Sequence, residues 1–134
     1  MDPRVPEVSV SHYHLTLTLP GLPPLNTSAT RRHRMVQHRE ARRWKELVVA
    51  LVGRQRPPKP LSRAHLLVVR HSSRIADRCN MAQAAKAAVD GLVAAGVLLD
   101  DSPQVLVTER YEWERAPRGA GNLVLEVEQA AAMR

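Results

Sequence analysis

The sequence predicts an α+β domain in which two helices cover a small mixed sheet. Two segments with helical periodicity and four strand-like segments follow one another in the order strand, helix, strand, helix, strand, strand. A chain of 134 residues, 44% of them hydrophobic, can bury one core but is too short to divide comfortably into two. We therefore expect one domain over residues 1–134, with a core at about 11–128 and a frayed Ala-rich tail at 129–134.

The first strand and the first helix are separated by a polar, basic segment. Polar and apolar residues alternate over residues 12–19, which predicts a half-buried strand, and the prolines and glycine at 20–24 end it. Residues 26–34 then lead into a helix that Gly53 and the prolines at 57–58 terminate. The apolar stripe of that helix consists of Trp44, Leu47, Val48 and Leu51.

A buried strand and a second helix follow the proline-rich link. Residues 64–70 are short, apolar and β-branched, which favours a central strand, and a polar loop is expected at 71–78. Apolar residues at helical spacing predict the second helix over residues 80–95, and Gly96 is its expected stop.

Two more strands complete the predicted sheet. The first lies at about 105–113, and the second alternates cleanly over residues 122–128. A turn at 117–121 connects them. Since the chain is almost free of aromatic residues, which make up 3% of it, the core is expected to be aliphatic.

Positive charge is concentrated around the first helix. The chain carries 20 Lys and Arg residues against 13 Asp and Glu, for a formal net charge of +7, which suits a polyanionic partner. Seven cations fall between Arg31 and Lys45, so this segment either binds phosphates in a salt-dependent manner or forms a solvated face opposite Trp44. The candidate DNA-binding residues are Arg31, Arg32, Arg34, Arg39, Arg42 and Arg43.

Cysteine usage and hydropathy indicate the compartment. Cys79 is the only cysteine, which excludes an intramolecular disulfide and any multi-cysteine zinc module and favours a reducing setting. Residues 1–10 do not resemble a signal peptide, and no apolar run approaches the ~20 residues that span a bilayer. We expect a soluble cytoplasmic protein without a membrane partner.

Acidic residues flank both ends of the predicted second helix, with Asp77 before it and Asp100 and Asp101 after it. Carboxylates near a positive surface are the hard oxygen ligands that Mg²⁺ requires, and such a metal activates water at a phosphodiester. The two ends are about 24 Å apart along a straight helix. A joint site therefore needs the chain to return along the helix.

Structural roles remain open for each of these residues. Asp77 or Asn80 can cap the helix, and Asp90 can pair with Lys86 one turn away. The Asp100-Asp101 pair can serve only to make a turn.

Four short motifs follow one another along the chain. They are Pro23-Pro24-Leu25-Asn26, Asp77-Arg78-Cys79-Asn80, Lys86 with Asp90-Gly91-Leu92, and Ala95-Gly96-Val97-Leu98-Leu99-Asp100-Asp101. In this order they resemble the RusA family of phage and bacterial Holliday-junction resolvases. The stretch from the second helix to Asp100-Asp101 carries the more specific part of the resemblance, in residue type, spacing and position after the second strand. The resemblance spans roughly residues 13–128.

This resemblance implies a RusA-like fold and a homodimer that binds four-way DNA junctions by their structure. It implies cutting of symmetrically placed strands with Mg²⁺, or alternatively Mn²⁺, held by acidic residues. By this resemblance the catalytic residues are Asp77, Lys86 and Asp101, the metal ligands are Asp77, Asp101 and Asp100, and Asn80 contributes to DNA binding.

Cys79 departs from the family pattern because it stands where the second acid of the first acidic motif is expected. A thiol is a soft ligand and a poor replacement for carboxylate toward Mg²⁺. The sequence therefore leaves three functions open: an altered but active nuclease, a branched-DNA binder without catalysis, and a structural or interaction domain. A cysteine hydrolase is not expected, since Cys79 has no recognisable histidine partner motif.

Overall fold

Four strands and two long helices alternate in the predicted order, which confirms the α+β class. The computed structural model describes residues 12–22 and 34–131. The elements are β1 (His14–Pro20), α1 (Arg34–Val52), β2 (Ala64–Ser72), α2 (Arg78–Ala94), β3 (Leu106–Arg115) and β4 (Asn122–Gln129). Neither helix in these ranges is long and apolar enough to cross a membrane.

The four strands form one mixed sheet in the order β1-β4-β2-β3. β4 runs antiparallel to both of its neighbours, whereas β2 and β3 are parallel and are connected through α2. β2 therefore lies in the interior of the sheet, as its apolar sequence predicts, and β1 and β3 form the two edges.

One face of the sheet carries the core. In β1 the buried residues are Leu15, Leu17 and Leu19. They lie opposite three buried residues of β4, in the order Val127, Leu125 and Leu123. Both helices pack aliphatic side chains against this face, and α1 adds Trp44. We call this face the inner face. The alternate residues of each strand lie on the opposite, outer face, where neither helix packs.

All four strands extend beyond their predicted ends: β1 reaches Pro20, and in β2 and β4 hydrogen bonds hold the residues at or next to the added end. β2 continues to Ser72, whose hydroxyl oxygen accepts a bond of 2.9 Å from Trp113 Nε1, so the loop expected at 71–78 begins later. β3 likewise reaches Arg115. β4 reaches Gln129, and the next amide, of buried Ala130, donates to the carbonyl of Arg63, so ordered chain continues past residue 128.

The two helices pack against each other at Gly91. A Cβ atom at this position would lie 2.7 Å from the Cβ of Val48 and 2.9 Å from the carbonyl oxygen of Lys45. Glycine is therefore required in the last turn of α2 because α1 approaches too closely for any side chain, although glycine lowers helix propensity.

We predict that Gly91→Ala destabilises the protein by about 1–3 kcal/mol, because overpacking outweighs the gain in helix propensity. Urea denaturation measures the change, and Gly91→Ser, with a larger side chain, should lower stability further. An Ala variant as stable as the parent would show that the helices separate freely at this point.

Candidate functional site

Asp77 caps the amino-terminal end of α2. Its Oδ1 accepts a bond of 2.9 Å from the backbone N–H of Asn80, and its Oδ2 accepts one of the same length from Asn80 Nδ2. Both carboxylate oxygens are thus engaged within the first turn of the helix. The capping role that the sequence left open is present, and the Asn80 amide that was predicted to contact DNA is committed to it.

The other end of α2 closes with a Schellman motif. Gly96 has φ of 82°, the left-handed conformation that glycine adopts without strain. Its N–H donates to the carbonyl of Val93, and the N–H of Val97 donates to the carbonyl of Leu92. The predicted stop at Gly96 is confirmed, and the chain turns back along the helix.

Leu61 then fixes the returning segment. Its N–H donates to the carbonyl of Val97 at 2.8 Å, and its carbonyl accepts from the N–H of Leu99 at 3.0 Å. The side chains of Val97 and Leu98 are fully buried. The two aspartates that follow therefore leave a rigid piece of backbone.

Asp100 shapes the turn into β3. Its Oδ1 accepts a bond of 2.6 Å from the backbone N–H of Ser102. Hydrogen bonds from the side chain and then the backbone of Ser102 hold the pKa of this carboxyl below its ordinary value. The turn role that the sequence left open for Asp100 is present, and its predicted role as a metal ligand stays a prediction.

Asp101 contacts Lys86, which also contacts Asp90. Lys86 Nζ lies 3.1 Å from Asp101 Oδ2 and 3.5 Å from Asp90 Oδ1. The hydrogen bond to Asp101, followed by the charge of Asp90, raises the pKa of Lys86. The lysine is therefore a cation at neutral pH, and it bridges two acids instead of forming the simple helical pair with Asp90.

An open cleft lies between α2 and β3, and Lys86 and Asp101 form part of its wall. The remaining lining residues are Ala82, Gln83, Val89, Glu109 and Tyr111. Glu109 is a cleft residue that no sequence motif predicts, because only the pairing of Leu66 with Glu109 in the β2–β3 register places this carboxylate beside α2.

Tyr111 contributes an apolar ring and a neutral phenol to the cleft. Burial, together with the negative charge of Glu109, raises the pKa of Tyr111 to about 12. The phenol stays protonated at neutral pH, so this residue is poorly suited to act as a base or a nucleophile.

Asp77 does not line the cleft. It precedes Lys86 by nine residues, which is about 14 Å along the helix axis. Within residues 12–22 and 34–131, no group of three or more His, Cys, Asp or Glu side chains is arranged to hold a metal ion. The structure does not group Asp77 with Asp101, so their joint binding of one metal stays a prediction.

The described cations of α1 point to solvent. The side chains of Arg39, Arg42, Arg43 and Lys45 are exposed, opposite buried Trp44. Of these, Arg43 lies 3.9 Å from Glu40 in an exposed pair. α1 packs at Gly91, on roughly the opposite side of α2 from Lys86, so α2 lies between the basic helix and the cleft.

Several predicted residues fall outside the described parts. Arg31, Arg32 and the motif at 23–26 lie outside the described residues. Arg34 begins α1, and Cys79 lies in the first turn of α2, but the side chains of both are outside the description. Their predicted roles stay predictions.

A comparison of the chain with protein-family models finds no match, and a comparison with curated protein sequences also finds none.

We predict that Asp77→Ala lowers the free energy of unfolding by about 0.5–2 kcal/mol, because the cap of α2 is lost. Asp77→Asn should leave stability nearly unchanged, since asparagine caps helices about as well as aspartate. Urea denaturation of the two variants measures the difference. Equal stability of the alanine variant and the parent would show that the cap contributes nothing, and would leave this carboxylate without a structural explanation.

Proposed function

We propose that the protein is a metal-dependent endonuclease that cuts branched DNA, in the manner of the RusA family. The observation that carries this proposal is the position of Lys86, whose ammonium group lies between the carboxylates of Asp101 and Asp90 in an open cleft. Phosphodiester hydrolysis requires both a cation that faces the phosphate and acids that bind metal or water. The cleft supplies both kinds of group.

Lys86 is the residue suited to the scissile phosphate. Its raised pKa keeps it protonated, and about two thirds of its side chain is accessible in the absence of DNA. A phosphate oxygen that replaces one carboxylate partner would keep the ammonium group hydrogen-bonded. Lys86 would then stabilise the negative charge that develops during cleavage.

The donor chemistry of the cleft fits Mg²⁺ or Mn²⁺. Asp101 and Glu109 both line it and both offer hard oxygen atoms, and Mg²⁺ commonly takes one or two carboxylates together with water and substrate phosphate. When bound, the metal would supply an activated water and neutralise phosphate charge. Asp101 and Glu109 would hold it, while Asp77 would join them only if the first turn of α2 moved.

Water, rather than a side chain, is the nucleophile in this proposal. The neutral phenol of Tyr111 is the only hydroxyl among the residues that line the described cleft. A carboxylate beside a metal-bound water suits hydrolysis better than attack by a phenol whose pKa is about 12.

The basic helix gives the proposal its DNA surface. The exposed cations of α1 carry little compensating negative charge, since Glu40 and Glu46 are the only acids on this helix. Such a surface binds backbone phosphates without reading the base sequence. A homodimer would present two clefts to a junction, as symmetric cutting requires.

Binding of branched DNA without cleavage is the second candidate function. It is favoured by Cys79, which stands where the family has an acid, and by the lack of a three-acid cluster among the described residues. Metal-dependent cutting separates the two functions.

We predict that Asp101→Asn abolishes Mg²⁺-dependent cutting of a labelled four-way junction and preserves junction binding. Lys86→Ala should lower the cleavage rate by about 100-fold or more, as loss of a transition-state contact does. Single-turnover cleavage and gel-shift assays measure both effects. Glu128→Gln, a carboxylate substitution on the outer face, is the matched control and should cut at the parental rate.

Two results would overturn the nuclease proposal. The first is a parent protein that binds junctions but does not cut them with Mg²⁺ or Mn²⁺, which is the outcome expected of a binding protein. The second is unchanged cutting by both the Asp101 and the Lys86 variants, which would place the chemistry elsewhere.

We also predict that junction affinity falls steeply with salt and that Arg39→Ala combined with Arg42→Ala weakens it. Each lost phosphate contact reduces the slope of log affinity against log salt by about 0.9 for duplex DNA. Fluorescence anisotropy at several salt concentrations measures the slope. Parental slope and affinity in the double variant would exclude this face of α1 from DNA binding.

A further inference from the structure

The edge of β3 that faces away from β2 carries a row of backbone groups that pair with no other strand among the described residues. β3 spans Leu106–Arg115 and is an edge strand that pairs only with β2 within the described residues. The N–H of Ala116 donates to the carbonyl of Ser72 in β2. The backbone N–H and carbonyl groups of successive residues point to alternate sides of a strand. Those of the even-numbered residues of β3 point toward β2, so those of Glu109, Tyr111, Trp113 and Arg115 point away from it.

The side chains along this edge have a self-complementary order. Residues 109–115 read Glu-Arg-Tyr-Glu-Trp-Glu-Arg. If the segment is paired with an antiparallel copy of itself about Glu112, then Glu109 lies opposite Arg115, Arg110 opposite Glu114, and Tyr111 opposite Trp113. Each of these pairs occurs twice across the two-fold axis, so the register contains four opposite-charge pairs and two aromatic pairs, both of which stabilise adjacent strands.

We propose that the edge of β3 is a homodimer interface, in which two copies of this chain pair antiparallel with their two-fold axis at Glu112. The neighbouring registers that keep the same side chains on each face, with the two-fold axis at Tyr111 or at Trp113, fit less well. Centring on Tyr111 leaves one repeated opposite-charge pair, Arg110 with Glu112, whereas centring on Trp113 places Glu112 opposite Glu114. Only the Glu112 register aligns both arginines with acids.

The backbone directions agree with this register. The pairs Glu109 with Arg115 and Tyr111 with Trp113 join residues whose N–H and carbonyl groups point outward, so these are hydrogen-bonded pairs. The central Glu112 pair is a like-charge contact, and each Glu112 has Arg110 of the second copy on one diagonal and Glu114 on the other. Within one chain, Arg110 already contacts Glu112. Arg110 and Glu112 of the two copies would therefore form one charge network.

Charge on an edge strand normally prevents pairing with arbitrary strands. The same charges permit pairing with a partner whose order is inverted, and a second copy of the strand is such a partner. The edge of β3 therefore fits a copy of this chain better than an unrelated strand.

The proposed dimer would form one eight-stranded sheet. A two-fold axis perpendicular to the sheet keeps the inner faces of both copies on the same side, so both clefts, each bordered by Glu109 and Tyr111, would face one way. The inference does not rest on the nuclease proposal, because oligomeric state alone tests it.

Cysteine cross-linking of the full-length chain tests the register. In a Cys79→Ser background, Glu112→Cys should form a disulfide-linked dimer under mild oxidation, because opposed residues in a non-hydrogen-bonded pair have Cα atoms about 4.5 Å apart. Arg110→Cys alone and Glu114→Cys alone are matched controls. Their like residues would be about 13 Å apart, too far for a disulfide. A mixture of these two control proteins should cross-link as a heterodimer.

Charge exchange tests the interface without cysteines. Glu114→Arg should weaken dimerisation by about tenfold or more in sedimentation equilibrium, because like charges then face each other. Combining it with Arg110→Glu should restore association to within about threefold of the parent, since the pair is rebuilt in reverse. Circular dichroism shows whether each variant is folded.

A monomeric, folded parent at micromolar concentration would overturn the proposal, as would equal cross-linking at positions 110, 112 and 114. Failure of the exchange double variant to recover association would overturn it too. Junction cleavage is not a readout in either experiment. A cross-linked dimer that does not cut DNA therefore supports this interface while it contradicts the nuclease proposal.

Discussion

The return of the chain after α2 is the constraint on which the cleft depends. Without this return, the acids that follow the helix would lie beyond its carboxy-terminal end, away from Lys86. The left-handed Gly96 reverses the backbone. Two backbone hydrogen bonds with Leu61, which donates one and accepts the other, hold the returning segment against the core. Asp101 is thereby placed level with Lys86, about halfway along the helix, rather than beyond its end. A flexible loop at this point would not hold a carboxylate 3.1 Å from an ammonium group.

Lys86 has different partners with and without a substrate in the proposed function. In the structure it contacts Asp101 and Asp90, and with Glu109 nearby the charged groups in and beside the cleft are net negative. Attraction for DNA must then come from elsewhere, and the exposed cations of α1 are its most concentrated described source. A metal at Asp101 would release Lys86 to bind phosphate, which couples metal binding to the availability of the lysine.

The local features of this chain could be predicted from sequence, whereas most of the cleft could not. Periodicity and stop signals are local, which explains why the core stripe with Trp44, the central β2 and the Gly96 stop were found. Glu109 was missed because its position depends on the β2–β3 register, which forms between residues far apart in sequence. The capping of α2 by Asp77 was foreseen only as an alternative, since a cap and a metal ligand use the same residue type.

Charge is divided between the two faces of the sheet more sharply than the net value of +7 suggests. Because side chains alternate along each strand, four glutamates occupy the outer face, at positions opposite His65, Leu67, Val69 and His71 of β2. They are Glu128, Glu126, Glu112 and Glu114. The helices, with their exposed arginines, cover the other face.

In the proposed function, this asymmetry would constrain how DNA approaches the protein. Arg110 offsets only one of the four glutamates, so the outer face would repel a polyanion and phosphates would be drawn to the side that carries α1. A dimer joined at the edge of β3 would keep both clefts on that attractive side and both acidic faces on the other. The edge order of β3 and the division of charge share Glu112 and Glu114, and in the proposed function they favour the same orientation of two clefts toward one branched DNA.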